Sequence, residues 1–355
     1  MKLLFWMKQI IFWKKVLFSG VAIIIVITFA TLINTYKKIY QPNVIIKGSS
    51  SCYLYIPTGS NLDDVCRILY QNNFIRNRSS FEWLAEKKHY QHNIKAGKYK
   101  LQNRMSNNEL ISILRSGKQE AVKLTFNEID TKEQLAGIIS HQIEADSSVL
   151  INFMNNDNFL DKYGFKKETV IGMFIPNTYE FLWNTSVEGF FNRMNKEYKK
   201  FWNDTRTNNS RNIGFSSIEV ITLASIVEKE SNITDEYPII AGVYINRLRK
   251  GLPLQADPTI KFAIGDLSIK RIRERQLGID SPYNTYKHNG LPPGPITIPS
   301  IKAIDAVLNF KQHSYLYFCA KSDFSGRHVF AKTLEQHNLN ARLYQQALDR
   351  KRILD

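Results

Sequence analysis

The longest apolar stretch of the chain lies near its N-terminus. Val16–Ile33 carries no charged residue, and lysine pairs at positions 14–15 and 37–38 bracket it. As a helix, this stretch extends about 27 Å at about 1.5 Å per residue, enough to cross the hydrocarbon layer of a membrane. The pattern predicts a transmembrane helix over residues 16–36, between an N-terminal segment at 1–15 and a juxtamembrane linker at 37–49.

The residues on either side of this helix predict its orientation. Lysines and aromatic residues precede the apolar run, which favours a cytoplasmic N-terminus in the inner membrane and an exported body, although Lys37 and Lys38 weaken the asymmetry. Leu32–Tyr36 lacks the small residues of a signal-peptide cleavage site, so we expect an uncleaved anchor. The rest of the chain is then expected in the periplasm or outside the cell.

Residues 50–122 show short strand and helix patterns. Tyr53–Ile56 predicts a strand that ends at a Pro-Gly turn, and Asn61 is placed to cap a helix whose apolar residues recur at helical spacing. A second helix, a return strand and a third helix with a capping box are predicted at Ser80–Lys88, Lys95–Leu101 and Ser106–Gly117. These elements predict a small α+β module that could lie along a polymer. A mere spacer between the membrane and the rest of the chain is the alternative.

From residue 123 onward the hydrophobic spacing is mainly helical. Helices are predicted from Thr131, over Ser147–Asn155 and over Val187–Trp202. Asn203–Asn212 has no apolar residue to pack, so we expect a mobile surface loop there. The predicted fold class is α+β: a transmembrane helix, a small module, and a mixed, mainly helical domain with short strands over residues 123–355.

Charge and cysteine content narrow the possible partners. The formal net charge is +16, of which six lysines in residues 1–38 contribute six, leaving about +10 for the rest. A basic surface suits nucleic acid, anionic lipid or an acidic cell-wall polymer. The chain has no zinc-finger spacing, no ribonucleoprotein-type aromatic signature and no basic helix after residue 38, so we expect no nucleic-acid partner. Cys52, Cys66 and Cys319 are too scattered for a disulfide framework and are expected as buried thiols.

One predicted helix ends in acidic residues. A capping box at Ser216–Glu219 starts it, and the apolar run Ile221–Val227 leads into Glu228 and Glu230. Glu230 projects to the same face as apolar residues of the run, and Glu228 projects to nearly the opposite side. A desolvated carboxyl near helix-end carbonyl dipoles holds its proton toward neutral pH and can act as a general acid. Spacing alone does not choose between the two glutamates, and solvated acids at a helix end are the alternative for both.

The same segment carries a family resemblance. Ala224–Glu230 (ASIVEKE) resembles the signature of the endolytic murein transglycosylases, the MltG/YceG-like family. Further similar motifs follow in the same order, at Val243–Leu248, Leu254–Thr259, Ser281–Tyr286, Gly290–Ile296, Tyr315–Phe318 and Gly326–Phe330, with His337 and Asn338. Lys95–Tyr99 resembles the end of the family's LysM-like module. The resemblance implies a LysM-like module at 50–122 and a transglycosylase domain at 123–355. Asn177 stands where many relatives carry aspartate, so no acid–base role is assigned to it.

The resemblance also implies a reaction. It makes Glu230 the catalytic acid, which protonates the glycosidic oxygen between N-acetylmuramic acid (MurNAc) and N-acetylglucosamine (GlcNAc). The resulting carboxylate then removes a proton from the 6-hydroxyl of the same muramyl residue, which attacks C1 and closes a 1,6-anhydro ring. The substrate's acetamido group is implied to stabilise C1, so that the second carboxylate of a hydrolase is unnecessary.

Residues in the similar motifs are expected to bind the glycan. Tyr283 and Tyr286 offer flat faces to pyranose rings, while Asn284 and Gln255 offer donors and acceptors to acetamido groups. A packed loop is the alternative for Tyr283–Tyr286. Asp257 precedes a proline and is expected in an extended or turn conformation, where it orients Gln255 or binds a sugar hydroxyl.

Ser231, Arg247 and His328 are also given expected contacts. Ser231 is expected to bind substrate, because a Glu-Ser pair is usual in other lytic transglycosylases. Arg247 either pairs with Glu228 or contacts a peptide carboxylate, and His328 is expected to hydrogen-bond within the core. No grouping of His, Cys and Asp has metal-ligand spacing, so we expect no metal and no cofactor.

Together these expectations describe a single-pass inner-membrane enzyme that cleaves nascent peptidoglycan strands internally and terminates their elongation. Its expected partners are glycan strands, the membrane and, from the family resemblance, membrane-bound peptidoglycan synthases. Two alternatives stay open: a hydrolytic muramidase acting with the same site, and a non-catalytic scaffold that binds the cell wall.

Overall fold

The structure is a computed structural model that describes residues 2–127, 129–269 and 271–351, without the side chains of 2–5, 8 and 9. It divides into two compact units: Met1–Val122 with Leu182–Asn184, and Lys123–Phe181 with Thr185–Asp355. The predicted N-terminal segment begins at residue 1 and the predicted domain at 123–355 ends at residue 355. Both of these end residues lie outside the described ones. The fold is mixed α+β and mostly helical with short strands, as predicted.

The chain begins with a long helix, α1, over Lys2–Tyr40. Its part Ile10–Tyr40 has a mean hydropathy of 2.7 over its most apolar window, and that window has no share buried in the protein. An apolar helix of this length, whose most apolar window is not covered by protein, is compatible with a single-pass membrane anchor.

The predicted linker at 37–49 is partly built into the first unit. Helix α1 continues to Tyr40, and Val44 is only 2 % exposed within the core of this unit. The Asn43 side chain donates to Asn107 Oδ1 at 2.7 Å and accepts from the Asn77 backbone N–H at 2.7 Å. These buried hydrogen bonds and the burial of Val44 fix a segment that the sequence pattern presents as a connection.

The remaining elements of the first unit follow the predicted order. They are strand β1 (Ser51–Ile56), helices α2 (Leu62–Gln71) and α3 (Arg78–Lys87), a 3₁₀ turn (Tyr90–His92), strand β2 (Gly97–Gln102) and helix α4 (Asn107–Ser116). The strands are antiparallel, with Ser51 opposite Gln102 and Ile56 opposite Gly97. Asn61 and Ser106 cap α2 and α4 with reciprocal hydrogen bonds, as predicted. The LysM-like identity of this unit stays a prediction.

The second unit holds the remaining helices and strands. They are β3 (Val122–Thr125), α5 (Lys132–Ser140), α6 (Ser147–Met154), α7 (Asp157–Leu160), β4 (Thr178–Phe181), α8 (Val187–Phe201), α9 (Asp204–Ile213), α10 (Ser217–Glu230), α11 (Tyr237–Arg249), α12 (Asp257–Ile264), α13 (Ile301–Leu308), β5 (Tyr317–Ala320), β6 (His328–Ala331) and α14 (Leu334–Arg350). Strand β3 pairs with β4, and β5 pairs with β6 in antiparallel register. Short 3₁₀ turns lie at Asp161–Tyr163, Val170–Met173, Thr234–Glu236 and Glu274–Gly278.

Helix α10 is the central helix of the second unit. Its residues from Val220 to Val227 are all buried, because α9, α11, α12 and α13 pack around it. A helix that is apolar on every side requires such a covering. The helix ends at Glu230, since Ser231 adopts an extended conformation at φ −143° and ψ 142°. The last side chain of the helix is therefore placed at the border of the core.

The predicted loop at Asn203–Asn212 is wrong, because most of this segment forms helix α9. Asn203 caps the helix by accepting a hydrogen bond from the Arg206 backbone N–H at 3.0 Å, and Gly214 ends it in the left-handed conformation at φ 82°. Arg206 also pairs with Asp305 of α13 at 3.1 Å. End caps and a distant ion pair thus stabilise a helix whose own sequence lacks an apolar face.

Candidate active site

A cleft of about 410 Å³ lies at the C-terminal end of α10 within the second unit. Helices α10, α11 and α12 and the strand pair β5–β6 contribute to its wall. Its polar and aromatic lining consists of Glu230, Tyr244, Arg247, Gln255, Asp257, Tyr286, Tyr317, Phe318, His328 and His337. Glu230, Gln255, Asp257 and Tyr286 were predicted to act together, and the structure brings these four to one cleft.

Glu230 is half-buried at the end of the apolar helix, with its carboxyl in the cleft. Burial raises the pKa of Glu230 to about 7, and the negative charge of Asp257 acts in the same direction. A hydrogen bond from the Tyr244 hydroxyl to Glu230 Oε1, at 2.5 Å, opposes this effect. A carboxyl with this pKa holds and releases a proton near neutral pH, as a general acid and base must.

Tyr244 lies in the candidate site but was not singled out from the sequence. It lies on α11, is 2 % exposed, and burial raises its own pKa well above the ordinary value. The phenol therefore stays protonated and remains a donor to Glu230. Tyr244 and Arg247 are three residues apart and lie on one helix face, which is the signal that could have linked both to the site.

Asp257 and Tyr286 form a second hydrogen-bonded pair in the cleft. The Tyr286 hydroxyl donates to Asp257 Oδ1 at 2.5 Å, and burial together with this bond raises the pKa of Tyr286. The expected extended or turn conformation of Asp257 is wrong, because Asp257 is the first residue of helix α12. Pro258 follows in the first helical turn, where the missing backbone N–H removes no intrahelical bond.

Arg247 is 6 % exposed and lies at the border of the cleft. Its Nε donates to the Pro253 carbonyl at 2.8 Å and its Nη1 to the Leu316 carbonyl at 2.9 Å. Its Nη2 donates to Gln255 Oε1 at 2.5 Å. The pairing with Glu228 that the sequence left open is therefore not formed. Arg247 instead links the loop that carries Pro253 and Gln255 to the carbonyl of Leu316.

Glu228 lies in a different cavity, of about 650 Å³, as its opposite helical projection predicted. Its Oε2 accepts a hydrogen bond from the backbone N–H of Ser300 at 2.8 Å, at the start of α13. Lys229 and Asp130 line the same cavity and form an ion pair at 2.6 Å. Glu228 therefore joins two helices and does not share the cleft with Glu230.

Three of the predicted substrate-binding residues, Tyr283, Asn284 and Ser231, are not in the cleft lining. Asn284 is fully buried, and its side chain donates to the carbonyls of Leu277 and Ile279 and accepts from the Tyr286 backbone N–H. Its amide is used to hold the loop, which corrects its expected role in binding acetamido groups. Tyr283 lines a separate groove of about 420 Å³ and packs on Phe262 with ring centroids 4.7 Å apart.

Ser231 supports the site from within the core and has no place in the cleft lining. It is 6 % exposed, and its hydroxyl donates to Glu236 Oε2 at 3.2 Å. The same carboxylate oxygen lies 2.8 Å from His328 Nδ1, and Glu236 Oε1 accepts from the His328 backbone N–H at 2.9 Å. The expected core hydrogen bond of His328 is confirmed, while Glu236 was missed. Glu236 thereby ties the residue after Glu230 to one wall of the cleft.

The cysteines and the possible metal ligands add no further chemistry to this cleft. Cys66 is buried as expected, whereas Cys52 and Cys319 are half-buried. Burial raises the pKa of the Cys319 thiol, which disfavours a thiolate nucleophile. Over 2–127, 129–269 and 271–351, no group of three or more His, Cys, Asp or Glu side chains is placed to hold a metal ion. The absence of a metal stays a prediction.

Comparisons with known proteins give consistent matches over most of the chain. Residues 54–343 match the YceG-like family. The chain is 33 % identical over 301 residues to an endolytic murein transglycosylase of Bacillus subtilis (strain 168), covering 80 % of this chain and 82 % of that protein. It is 29 % identical over 342 residues to an endolytic murein transglycosylase of Streptococcus pneumoniae serotype 2 (strain D39 / NCTC 7466), covering 86 % of this chain and 61 % of that protein.

A solved structure is also similar to this chain. A crystal structure of a YceG-like protein from Listeria monocytogenes aligns with a TM-score of 0.54 and 31 % sequence identity. The alignment covers 82 % of this chain and 98 % of that one. The similarity thus extends over both sequence and backbone fold.

Proposed function

This chain belongs to the YceG-like family, and we propose that it is a membrane-anchored peptidoglycan lytic transglycosylase whose catalytic acid and base is Glu230. One observation carries the proposal: the carboxyl of Glu230, with its pKa raised to about 7, ends a buried helix inside a cleft lined with tyrosines and the Gln255 amide. Aromatic faces and hydrogen-bonding side chains suit a sugar polymer as the occupant of that cleft.

The first chemical step is proton transfer from Glu230 to the oxygen that joins MurNAc to GlcNAc. The bond between MurNAc C1 and this oxygen breaks, the oxygen keeps the electron pair as the new GlcNAc hydroxyl, and positive charge develops at C1. Glu230 becomes a carboxylate, which the hydroxyl of Tyr244 stabilises through the hydrogen bond at 2.5 Å. The raised pKa makes the proton available, and Tyr244 favours the state that follows its release.

The second step returns the proton to Glu230. The carboxylate removes the proton of the 6-hydroxyl of the same muramyl residue, and that oxygen forms a bond to C1. The product is a 1,6-anhydro-MurNAc end, and Glu230 is protonated again for the next turnover. One residue thus serves as acid and then as base, and no water enters as a nucleophile.

Hydrolysis is the second candidate, and one feature of the cleft favours it. Asp257 lines the same cleft as Glu230, and its charge contributes to the raised pKa of Glu230. Hydrolytic glycosidases use two carboxyl groups, the second as base or nucleophile. Against this reading, Tyr286 already donates to Asp257, which gives that carboxylate a binding partner within the protein.

Mass spectrometry of the products separates the two reactions. Intact sacculi are digested with the full-length protein in detergent, and the new glycan ends are identified. We expect anhydromuramyl ends from the wild type and about 10²–10⁴-fold slower formation of them by Glu230→Gln, which is nearly isosteric but has no acidic proton. Reducing muramyl ends would instead establish hydrolysis, and cleavage at the wild-type rate by Glu230→Gln would show that this site is not the catalytic one.

The finer parts of the proposal concern location and the polymer. We place α1 in the inner membrane with its N-terminus in the cytoplasm, because lysines precede the apolar run. The cleft would then lie near newly polymerised strands, where internal cleavage terminates their elongation and membrane-bound synthases are neighbours. The unit at 50–122 would bind the glycan as a LysM-like module. Labelling single cysteines placed before and after the apolar run Val16–Ile33, in intact cells and in a variant without Cys52, Cys66 and Cys319, tests the orientation, since only the latter should react with a membrane-impermeant reagent.

A further inference from the structure

Gln255 has an uncommon backbone conformation for its residue type. Its φ is +54°, in the left-handed region that residues with a side chain rarely adopt. The backbone N–H of Gln255 donates to the Thr285 carbonyl at 3.0 Å, and the following residue, Ala256, donates to Thr285 Oγ1 at 3.0 Å. The loop at 281–286 thus fixes this conformation, and the exposed Gln255 side chain lies in the cleft. Strain of this kind is concentrated at functional sites.

Arg247 determines which end of the Gln255 amide is free. A guanidinium has only donors, so the group 2.5 Å from Arg247 Nη2 must be the amide oxygen of Gln255. Arg247 is itself held by the carbonyls of Pro253 and Leu316, and it is almost completely buried. The guanidinium therefore stays in place if the Gln255 amide rotates, and such a rotation would break the hydrogen bond between them. The NH₂ group is left as the end of Gln255 that is available to a ligand.

We propose that Arg247 is a positioning residue that presents the Gln255 NH₂ group to the acetamido carbonyl of a bound N-acetylated sugar. The cleft is then selective for N-acetylated glycan over N-deacetylated glycan, which lacks that carbonyl and leaves the donor without a partner. This inference rests on the proposed function, because it assigns a sugar polymer to the cleft. It adds the atom that recognises the acetyl group and the residue that orients this atom.

Gln255→Glu is the variant that tests the donor. A glutamate keeps the shape of the side chain and accepts from Arg247, so the contact that holds the loop is kept or strengthened. It has no NH₂ group, and its second oxygen repels an acetamido carbonyl and attracts an amine. Binding is measured instead of turnover, since an acetamido group that assists at C1 would make turnover depend on acetylation for another reason.

The experiment uses the full-length protein in detergent with Glu230→Gln, which prevents cleavage, and peptide-free chito-oligosaccharides of one length. Calorimetry gives Kd for the fully N-acetylated and the N-deacetylated oligosaccharide. We expect the parent to prefer the acetylated form by about tenfold, and Gln255→Glu to remove or reverse that preference. Asp257 attracts amines in both proteins, so its effect cancels in the comparison. An unchanged ratio of the two Kd values would overturn the inference.

Arg247→Lys tests the positioning role. A lysine cannot donate to Pro253, Leu316 and Gln255 together, so the Gln255 amide can turn and present either end. We expect the preference for the acetylated oligosaccharide to fall toward unity while a thermal unfolding transition is still observed. A merely structural arginine would change both affinities by the same factor, and that result contradicts the proposal. Gln142→Glu, at an exposed position outside the cleft, is the matched control and should leave the ratio unchanged.

Failure of this inference can be told from failure of the proposed function. Wild-type protein that produces anhydromuramyl ends, together with an unchanged Kd ratio in Gln255→Glu, removes only the role of Gln255. Wild-type protein that cleaves no glycan removes the function, whatever the ratio. If both variants lose all binding to either oligosaccharide, the selectivity assigned to Gln255 is also rejected, because that selectivity predicts retained binding of the deacetylated form.

Discussion

Glu228 and Glu230 are two residues apart at the end of one helix, yet their side chains lie in different cavities. Glu230 lies in the cleft with Tyr244 and Asp257, where burial raises its pKa to about 7. Glu228 lies beside the Lys229–Asp130 ion pair and accepts a hydrogen bond from the backbone N–H of Ser300, the N-cap of α13. A carboxylate at a helix N-terminus is stabilised by the backbone N–H groups it meets there.

The difference between the two glutamates comes from their neighbours, because the residue type and the helix are the same. The surroundings of Glu230 raise its pKa. Glu228 accepts a hydrogen bond from the Ser300 backbone N–H and thereby links α10 to α13. Acid chemistry and structural support thus require opposite surroundings.

The largest effect is expected on turnover. Glu230→Gln removes the only proton donor in the proposed mechanism, so the initial rate of glycan cleavage should fall about 10²–10⁴-fold. Glu228→Gln keeps an oxygen that can accept from Ser300, so its rate should remain close to that of the wild type. Both rates are measured on sacculi by release of soluble fragments. A comparable loss in Glu228→Gln would end the functional contrast between the two residues.

Glu230→Gln should also change the free energy of unfolding, by an amount that depends on pH. The pKa of Glu230 is raised from 4.5 in the unfolded chain to about 7 in the folded protein. Between these values the folded state binds the extra proton, so the glutamate makes the protein progressively less stable as pH rises from about 4.5 to about 7. Above pH 7 this cost is about 3 kcal/mol. Glu230→Gln should therefore unfold at a higher temperature than wild type at pH 8 and at a similar one near pH 4. Equal differences at both pH values would contradict the raised pKa.

Tyr244→Phe should shift the pH dependence of activity. The wild-type kcat/KM is expected to fall as pH rises through about 7, because the acid form of Glu230 is lost. Removing the Tyr244 hydroxyl removes a hydrogen bond that lowers this pKa, so the alkaline limb should move to higher pH. The matched control is Tyr283→Phe, in the separate groove, for which no movement is expected. Movement to lower pH in Tyr244→Phe would show that another group titrates.

Asp257→Asn should move the alkaline limb of the pH profile least, and in the direction opposite to that expected for Tyr244→Phe. Loss of this negative charge makes Glu230 easier to ionise, so the alkaline limb should move to lower pH. The movement should be smaller than that of Tyr244→Phe, because the Tyr244 hydrogen bond has the larger influence on Glu230. The asparagine still accepts from Tyr286 and should retain much of the activity. Complete loss of cleavage would point to Asp257 as the second carboxylate of a hydrolase.

Local signals in the sequence predicted many elements of the fold. The cap at Asn61 and the capping boxes at Ser106 and Ser216 start α2, α4 and α10 as expected, because their hydrogen bonds join residues three positions apart. Helix α9 could not be predicted in this way. Its segment has no apolar face, and the ion pair of Arg206 with Asp305 joins residues far apart in the sequence.

The candidate site shows the same limit. The apolar run ending in Glu230 was evident, and the motif around Gln255 and Asp257 was recognised. Asn284 lies two residues before Tyr286 in one motif, yet one side chain is buried and the other lines the cleft. A polar side chain in a loop gives no indication of whether backbone carbonyls or solvent will satisfy it, because that depends on how the loop closes.

The apolar N-terminal helix, the ends of several helices and the acid after a buried helical run could be predicted from the sequence. These features depend on residues within a few turns of one another. Which glutamate faces the cleft, how strongly its proton is held and which atoms surround it depend on the tertiary structure. Desolvation and hydrogen bonding set a pKa, and both come from groups that folding brings together from α10, α11 and α12.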